Sequence, residues 1–423
     1  MRVVVVGATG NVGTAVVSAL ARRPEIDAIV GLARRLPRQP IDGVRWARAD
    51  IRCDDLLTEF RGADVVVHLA WLFQPTHRPL ETWRANVQGT ERVLRAVAQA
   101  GVPSLVYASS VGAYSPAHHD DPVGEDWPTE GWPPAGYMRE KAYVERLLDL
   151  FENEHPDRRV VRMRPAFTFQ QASASQQRRL FAGPLVPGSV LRPPLIPVLP
   201  VPAGLRLQAV HADDIGSAYS LAIVDPSVHG PFNLAADPVI DRAKLGVLFD
   251  APTVSVPPGA VRAALAVGWR LRLVPAPPEL FDAMMRLPIM DTTRARRDLG
   301  WTPRIDAVSA LREVLTGMSH GSGGANTTIG VRRRRAAAGA GIRLRCRRHR
   351  PGRPLGRGPV SVPARPDHTL NHAFRHRVGP RVTCYERPCP EADCRSFRRT
   401  PHSDRSPKPP GYCRPHTADR AGE

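Results

Sequence analysis

The chain has 423 residues and a formal net charge of +19, from 59 Lys and Arg against 40 Asp and Glu. From Ser319 onward 23 basic residues face 7 acidic ones, so residues 1–318 are nearly neutral and the excess charge belongs to the tail. Only Cys53 of the six cysteines precedes that tail, which excludes a disulfide-stapled fold for the larger part and suits a reducing compartment.

At the N-terminus Met1-Arg2 runs straight into Val3-Val4-Val5-Val6 and a glycine. Four apolar residues make a buried strand and fall short of the roughly 7–15 of a signal core. No apolar run reaches the roughly 18 residues of a membrane span, so a soluble cytoplasmic protein without a membrane partner is expected. Val3–Val6, Ala28–Ala33, Val44–Arg48, Val65–Leu69, Leu105–Ala108 and Val160–Met163 read as buried strands. Amphipathic helices are predicted over Val12–Arg22 and Glu81–Ala100. Such alternation implies a doubly wound parallel α/β sheet of Rossmann type, with ligands beyond the carboxyl ends of its strands.

The first strand ends in Gly7-Ala8-Thr9-Gly10-Asn11-Val12-Gly13, which opens a helix. Glycines at this spacing allow a tight turn and a close backbone approach to a pyrophosphate, and the helix start offers free N–H groups. A dinucleotide cradle is therefore expected from Gly7, Gly10, Asn11, Val12 and Gly13; a structural turn is the bland alternative. The second strand ends in Leu32-Ala33-Arg34-Arg35 with no acid to take a ribose hydroxyl. Arg34, with Arg35 second, would suit a 2′-phosphate and modestly favours NADP over NAD; a solvated basic turn before Pro37 is the alternative. Asp50-Ile51 after the third strand would cap the adenine, or Asp50 a helix starting near Asp54.

Ser110 ends the fifth strand, at the edge where the cofactor is expected, and Tyr137 and Lys141 stand four apart near the start of a helix predicted to reach Phe151. A free phenol titrates at about pH 10. An ammonium about 4 Å away, at an effective dielectric of about 20, would lower that by roughly three units and make Tyr137 a general acid–base at neutrality. Ser110 would hold the substrate oxygen while Tyr137 passes its proton. A plain surface pair is the alternative, weakened by the glycine loop and Ser110.

Proline dominates from Gln170 to about Arg206, forbids a long regular element, and suggests a lobe over the substrate. Leu207–His211 resumes as a strand, followed by helices from about Asp213 and over Val261–Leu273, Leu280–Arg286, Thr292–Leu299 and Ala307–Leu315. The division expected is a dinucleotide-binding domain over 1–165, a substrate lobe over 166–318 interleaved with the sheet, and a disordered basic tail over 319–423. The run Arg332–Arg335 would attract phosphate, so nucleic acid is expected only through the tail. Cys384, Cys389 and Cys394 with Cys413, His402 or His416 are loosely spaced for zinc, and no metal site is expected. The tail's Arg-Pro-Gly-Ala bias also matches a shifted reading frame.

Taken in order, Gly7–Gly13, Asp50-Ile51, His68-Leu69-Ala70, Asn86–Thr90, Ala108-Ser109-Ser110, Tyr137–Lys141, Arg164-Pro165, Val210–Asp214, Phe232-Asn233-Leu234 and Leu299–Pro303 resemble the extended short-chain dehydrogenase/reductase family, in its NAD-dependent epimerase/dehydratase branch. The resemblance covers about three quarters of the chain. It implies an NAD(P)-dependent oxidoreductase or epimerase acting on a carbonyl, hydroxyl or sugar-nucleotide substrate, with Leu69 and Ala70 lining the cofactor and Asn86 near the nicotinamide. The expected partners are a small-molecule substrate and a second copy in a homodimer. Arg164-Pro165 is followed by Ala166-Phe167-Thr168-Phe169 rather than the polar, glycine-bearing run of nucleotide-sugar enzymes, and Leu207 stands where they often carry arginine. An apolar substrate is the other expectation. A catalytically silent dinucleotide sensor is the alternative to an enzyme.

Overall fold

The computed structural model describes residues 1–73, 77–117, 120–171, 174 and 197–319. All fall in the first of two compact units, Met1–Arg348; the second, His349–Glu423, lies outside the described residues. The expectations for the tail, its nucleic-acid contacts and its cysteines therefore lie outside them too.

Strand β1 (Arg2–Val6) shows why the sheet forms. Its valines are 0–2% exposed and alternate between two layers. Val3 and Val5 pack with Val16, Val17 and Leu20 of helix α1 (Asn11–Leu20), whereas Val4 and Val6 pack with Val93 and Leu94 from the opposite side. Period-two side chains covered on both faces are what an all-parallel sheet requires. The other strands are β2 (Ala28–Ala33), β3 (Val44–Arg48), β4 (Val65–His68), β5 (Ser104–Ala108) and β6 (Arg159–Pro165). With β10 (Gly230–Leu234) they form a seven-stranded sheet in the order β10-β6-β5-β4-β1-β2-β3, every neighbour parallel. The doubly wound α/β expectation holds. The order reverses beside β1, so its loop and that of β4 open a crevice at their carboxyl ends.

Helix α5 (Gly136–Glu154) carries the Tyr-Lys pair past β5. The helix expected over Glu81–Ala100 begins at Pro79 and passes through a wide π turn at Arg84–Gln88 before continuing as Gly89–Ala100. Beyond Pro165 the chain adds a small sheet of β11 (Ala236–Ile240), β9 (Leu207–His211) and β7 (Phe167–Phe169), and a pair of β12 (Thr253–Val256) with β8 (Leu199–Pro202). The helix Ala212–Val224 packs beside α1, so the later chain is woven into the first. The last helix runs Ala307–Ser319. No helix among the described residues is long and apolar enough to cross a membrane.

Candidate active site

The loop between β1 and α1 is shaped by contacts that only glycine tolerates. Gly7 has φ +91°, and a Cβ there would lie 2.6 Å from the Ala70 backbone nitrogen; one on Gly13 would lie 2.3 Å from the Gly7 carbonyl. The loop is thus pressed against the end of β4, and α1 against the loop. Helix α1 starts after Gly10 with no side chain capping it, which leaves its first N–H groups for a ligand.

Two cavities meet here, sharing Gly10, Leu69, Trp71 and Phe73. The outer one, about 350 Å³, is bordered by Gly7, Ala70, Arg34, Arg35, Asp50, Ile51 and Arg52. The Asp50 carboxylate is not free: Arg52 Nε donates to Oδ1 at 3.0 Å and Nη2 to Oδ2 at 2.7 Å. Burial works to raise its pKa, but the Arg52 hydrogen bonds win and hold it below the usual range. Arg34 stands exposed beside it, its pKa lowered by partial burial against the attraction of Asp50. Arg52 did not emerge from the sequence, where it is one arginine among many.

The inner cavity, about 300 Å³, brings Ser110, Tyr137 and Lys141 together with Gly10, Asn11, Val12 and Gly13. Its walls are apolar, with Trp71, Phe73, Phe167, Phe169, Met284 and Leu287 around that polar end. Ser110 Oγ accepts the Gly112 N–H at 3.0 Å, and Ser110 and Tyr137 share a hydrogen bond. The Tyr137 ring meets Phe73 edge-on at 4.7 Å. Gly112 leaves room for it, since a Cβ there would lie 2.9 Å from Tyr137 Cε1.

One expectation fails. Lys141 does not acidify Tyr137: burial pushes the phenol up to about 12, with only the Ser110 hydrogen bond opposing. The reason is the direction of the lysine. Its Nζ donates to the Ala108 carbonyl at 2.6 Å and lies 3.6 Å over the Trp71 ring. Burial also lowers Lys141 to about 7, although Glu145 and Glu140 resist. A spacing of four places both residues on one face without making their polar ends meet. His68, at the end of β4, is held neutral by burial and by Lys141, at about 3.

Asn86 does not border either cavity. Its Oδ1 accepts the Leu72 N–H at 2.6 Å and its Nδ2 donates to Glu140 at 2.7 Å, so it fastens the segment after β4 to α5. Asn11 is similarly occupied: its Nδ2 donates to the Thr168 carbonyl at 3.2 Å, and Gln170 Nε2 donates to its Oδ1 at 2.5 Å. It ties the start of α1 to β7.

Behind Ser110 lies a charge cluster that sequence reading missed. Glu145, two turns beyond Tyr137 on α5, is fully buried and accepts from Ser109 Oγ at 2.5 Å. Arg162 Nη1 and Arg164 Nη2, alternate residues of β6, each donate to its Oε2 at 3.0 Å. Burial opposes ionisation, yet the two arginines carry Glu145 down to about 2. Arg164 also donates to the Tyr114 hydroxyl at 3.0 Å, which donates to Asn233 at 2.6 Å. The available signal was two arginines on one face of a buried strand and an acid on the buried face of α5. Among the described residues no cluster of three His, Cys, Asp or Glu could hold a metal ion.

Residues 3–180 match the model of the NAD dependent epimerase/dehydratase family. An uncharacterized protein of Mycobacterium tuberculosis is 26% identical over 315 residues, 74% of this chain but only 29% of that protein. The chain thus spans under a third of the length of that relative. A 4-hydroxy-2-methyl-3-oxo-4-farnesyl-3,4-dihydroquinoline-1-oxide ketoreductase of Stigmatella aurantiaca is 32% identical over 174 residues, 40% of this chain and 50% of that one. Among solved structures, a UDP-glucose-4-epimerase from Stenotrophomonas maltophila with bound NAD aligns at a TM-score of 0.58 and 21% identity, over 76% of this chain and 99% of that one.

Proposed function

We propose that this chain, which belongs through residues 3–180 to the NAD dependent epimerase/dehydratase family, is a nicotinamide-dinucleotide-dependent oxidoreductase of a largely apolar carbonyl or hydroxyl compound. The observation that carries the reading is the inner cavity, where Ser110, Tyr137 and Lys141 meet the glycine loop inside aromatic and aliphatic walls. A charged nucleotide-sugar would find little there to pair with. The name of the Stigmatella relative, a ketoreductase for a farnesylated ring, is in keeping with that chemistry.

The outer cavity suits the dinucleotide. Gly10 stands exposed at the shared rim, the start of α1 is uncapped, and Arg34 offers a cation for a 2′-phosphate, so NADP is favoured. When bound, the cofactor would supply or accept hydride at its nicotinamide. Ser110 would donate a hydrogen bond to the substrate oxygen, and Tyr137, protonated at neutral pH, would give it a proton in reduction; in oxidation only its phenolate could take one. Lys141 would hold the end of β5 through Ala108 and present a shiftable cation beside the site. The aromatic walls would exclude water.

The test is Tyr137→Phe. Turnover in a screen of apolar ketones and alcohols should fall roughly 10²–10⁴-fold, while dinucleotide affinity by calorimetry stays within about twofold. Unchanged turnover would remove the assignment. A silent dinucleotide sensor is the second reading, favoured by the engagement of Lys141 with the Ala108 carbonyl and the Trp71 ring. That reading requires dinucleotide binding without turnover on any compound of the screen.

A further inference from the structure

The helix Pro258–Arg270 buries none of its thirteen residues, although it is rich in alanine, valine and leucine. It ends in a tight hook. Leu273 N–H and Arg272 N–H turn back to the carbonyls of Gly268 and Trp269, at 2.8 and 3.0 Å. The hook puts Arg272 in the left-handed region at φ +58°, a conformation that strains a residue with a Cβ. What it achieves is exposure: Leu271 is 63% exposed, Leu273 50%, and Val267, one turn before Leu271, 56%. Three large aliphatic side chains in water at one helix end are a surface that a partner would cover.

The charges around them identify that partner. No Asp or Glu occurs from Ala251 to Pro278, while Arg262, Arg270 and Arg272 do. Arg262 is paired with Asp282 at 2.7 Å; Arg270 and Arg272 have no carboxylate partner among the described residues. Exposed leucines interleaved with arginines that meet no carboxylate among the described residues match a membrane interface, where aliphatic side chains enter the acyl boundary and guanidinium groups meet anionic headgroups.

The position supports the same conclusion. Trp269, inside the hook, stacks on His77 with ring centres 3.5 Å apart and borders a third cavity of about 390 Å³. Phe73, Tyr137 and Leu280 border both that cavity and the inner one. The hook thus borders, through Trp269, a cavity that adjoins the one holding Tyr137, although Arg139, Glu140 and Glu279 also line it.

We propose that Val267, Leu271 and Leu273, flanked by Arg270 and Arg272, dock the protein on an anionic lipid surface. This is peripheral contact, not a span, and it revises the expectation of no membrane partner. It does not depend on the chemistry proposed for Tyr137, and its test reads binding alone. The full chain is mixed with vesicles of phosphatidylcholine containing phosphatidylglycerol, part of whose acyl chains carry bromine to quench tryptophan fluorescence. Adsorption through the basic residues beyond Ser319 would bring vesicles down without quenching, so the two contacts separate.

Wild type should sediment with these vesicles and be quenched, and Trp269→Phe should remove most of the quenching. Leu271→Asp with Leu273→Asp should weaken binding about tenfold or more. Arg272→Gly, which fits the left-handed turn and cannot unfold it, should weaken binding about fivefold, less at high salt. Binding without quenching, or equal binding by the leucine variant, overturns the proposal. So does a lipid-free dimer in sedimentation equilibrium that the leucine variant dissociates, because a second copy would then be the occupant.

Discussion

Glu145→Gln removes one negative charge from the cluster behind Ser110 and changes little else in shape. In the folded protein the carboxylate takes hydrogen bonds from Ser109, Arg162 and Arg164 and titrates at about 2, against 4.5 for an ordinary glutamate. At about 1.36 kcal/mol per unit, that difference corresponds to roughly 3 kcal/mol of stability from its ionisation. The folded value is the depressed one, so this contribution is complete above pH 4.5 and is lost as pH falls towards 2. Glutamine leaves Arg164 buried without a carboxylate, whereas Arg162 keeps Asp149 at 2.7 Å. Stranding a buried charge costs about 3–5 kcal/mol. Urea unfolding of the variant at pH 7 should therefore show a loss in that range, with a flatter acid limb than wild type between pH 5 and 2.

A second readout separates positioning from mere stability. Glu145 raises the pKa of Lys141, which burial holds near 7. Without it the lysine should lose its proton at lower pH, and any activity limb that follows Lys141 should move in the acid direction. A stability change under about 1 kcal/mol at pH 7, together with an unmoved pH profile, would refute both the energetics and the positioning role.

Arg34→Ala should weaken NADP by about tenfold or more, as expected for loss of a charged hydrogen bond, and leave NAD nearly unchanged in fluorescence titrations; equal losses would remove the phosphate reading. In Gly112→Ala the new methyl would press on Tyr137 Cε1. Displacing that ring should lower kcat about 10–100-fold, with at most roughly 1–3 kcal/mol of destabilisation by urea. Full activity there would mean that the ring position is not critical.

What the sequence disclosed and what it withheld divide along a physical line. Runs such as Val3–Val6 and Val65–His68 announce parallel strands because both faces must be apolar, and Gly7 and Gly13 announce the loop because a backbone passes within contact distance. These are local requirements. Strand β10 was not legible, since Gly-Pro-Phe-Asn-Leu carries neither length nor β-branching and joins the sheet only by pairing with β6. The direction of Lys141 was hidden for a similar reason. Spacing in a helix fixes the face, while the Ala108 carbonyl and the Trp71 ring, distant in sequence, decide where the ammonium goes.

The same distinction bears on how the site can work. Tyr137 and Lys141 sit in one cavity but are held by different partners: the tyrosine by Ser110 and Phe73, the lysine by Ala108 and Trp71. With the phenol near 12 and the lysine near 7, the proton most easily exchanged at neutrality is on the lysine. Tyr137 is then suited to donating a proton to a nascent alkoxide, a stronger base than itself, and less suited to abstracting one from an alcohol. Under the proposed function, carbonyl reduction is the direction that a protonated Tyr137 would serve better. A cationic ligand or a shift of Lys141 towards the phenol would be needed to make oxidation equally easy.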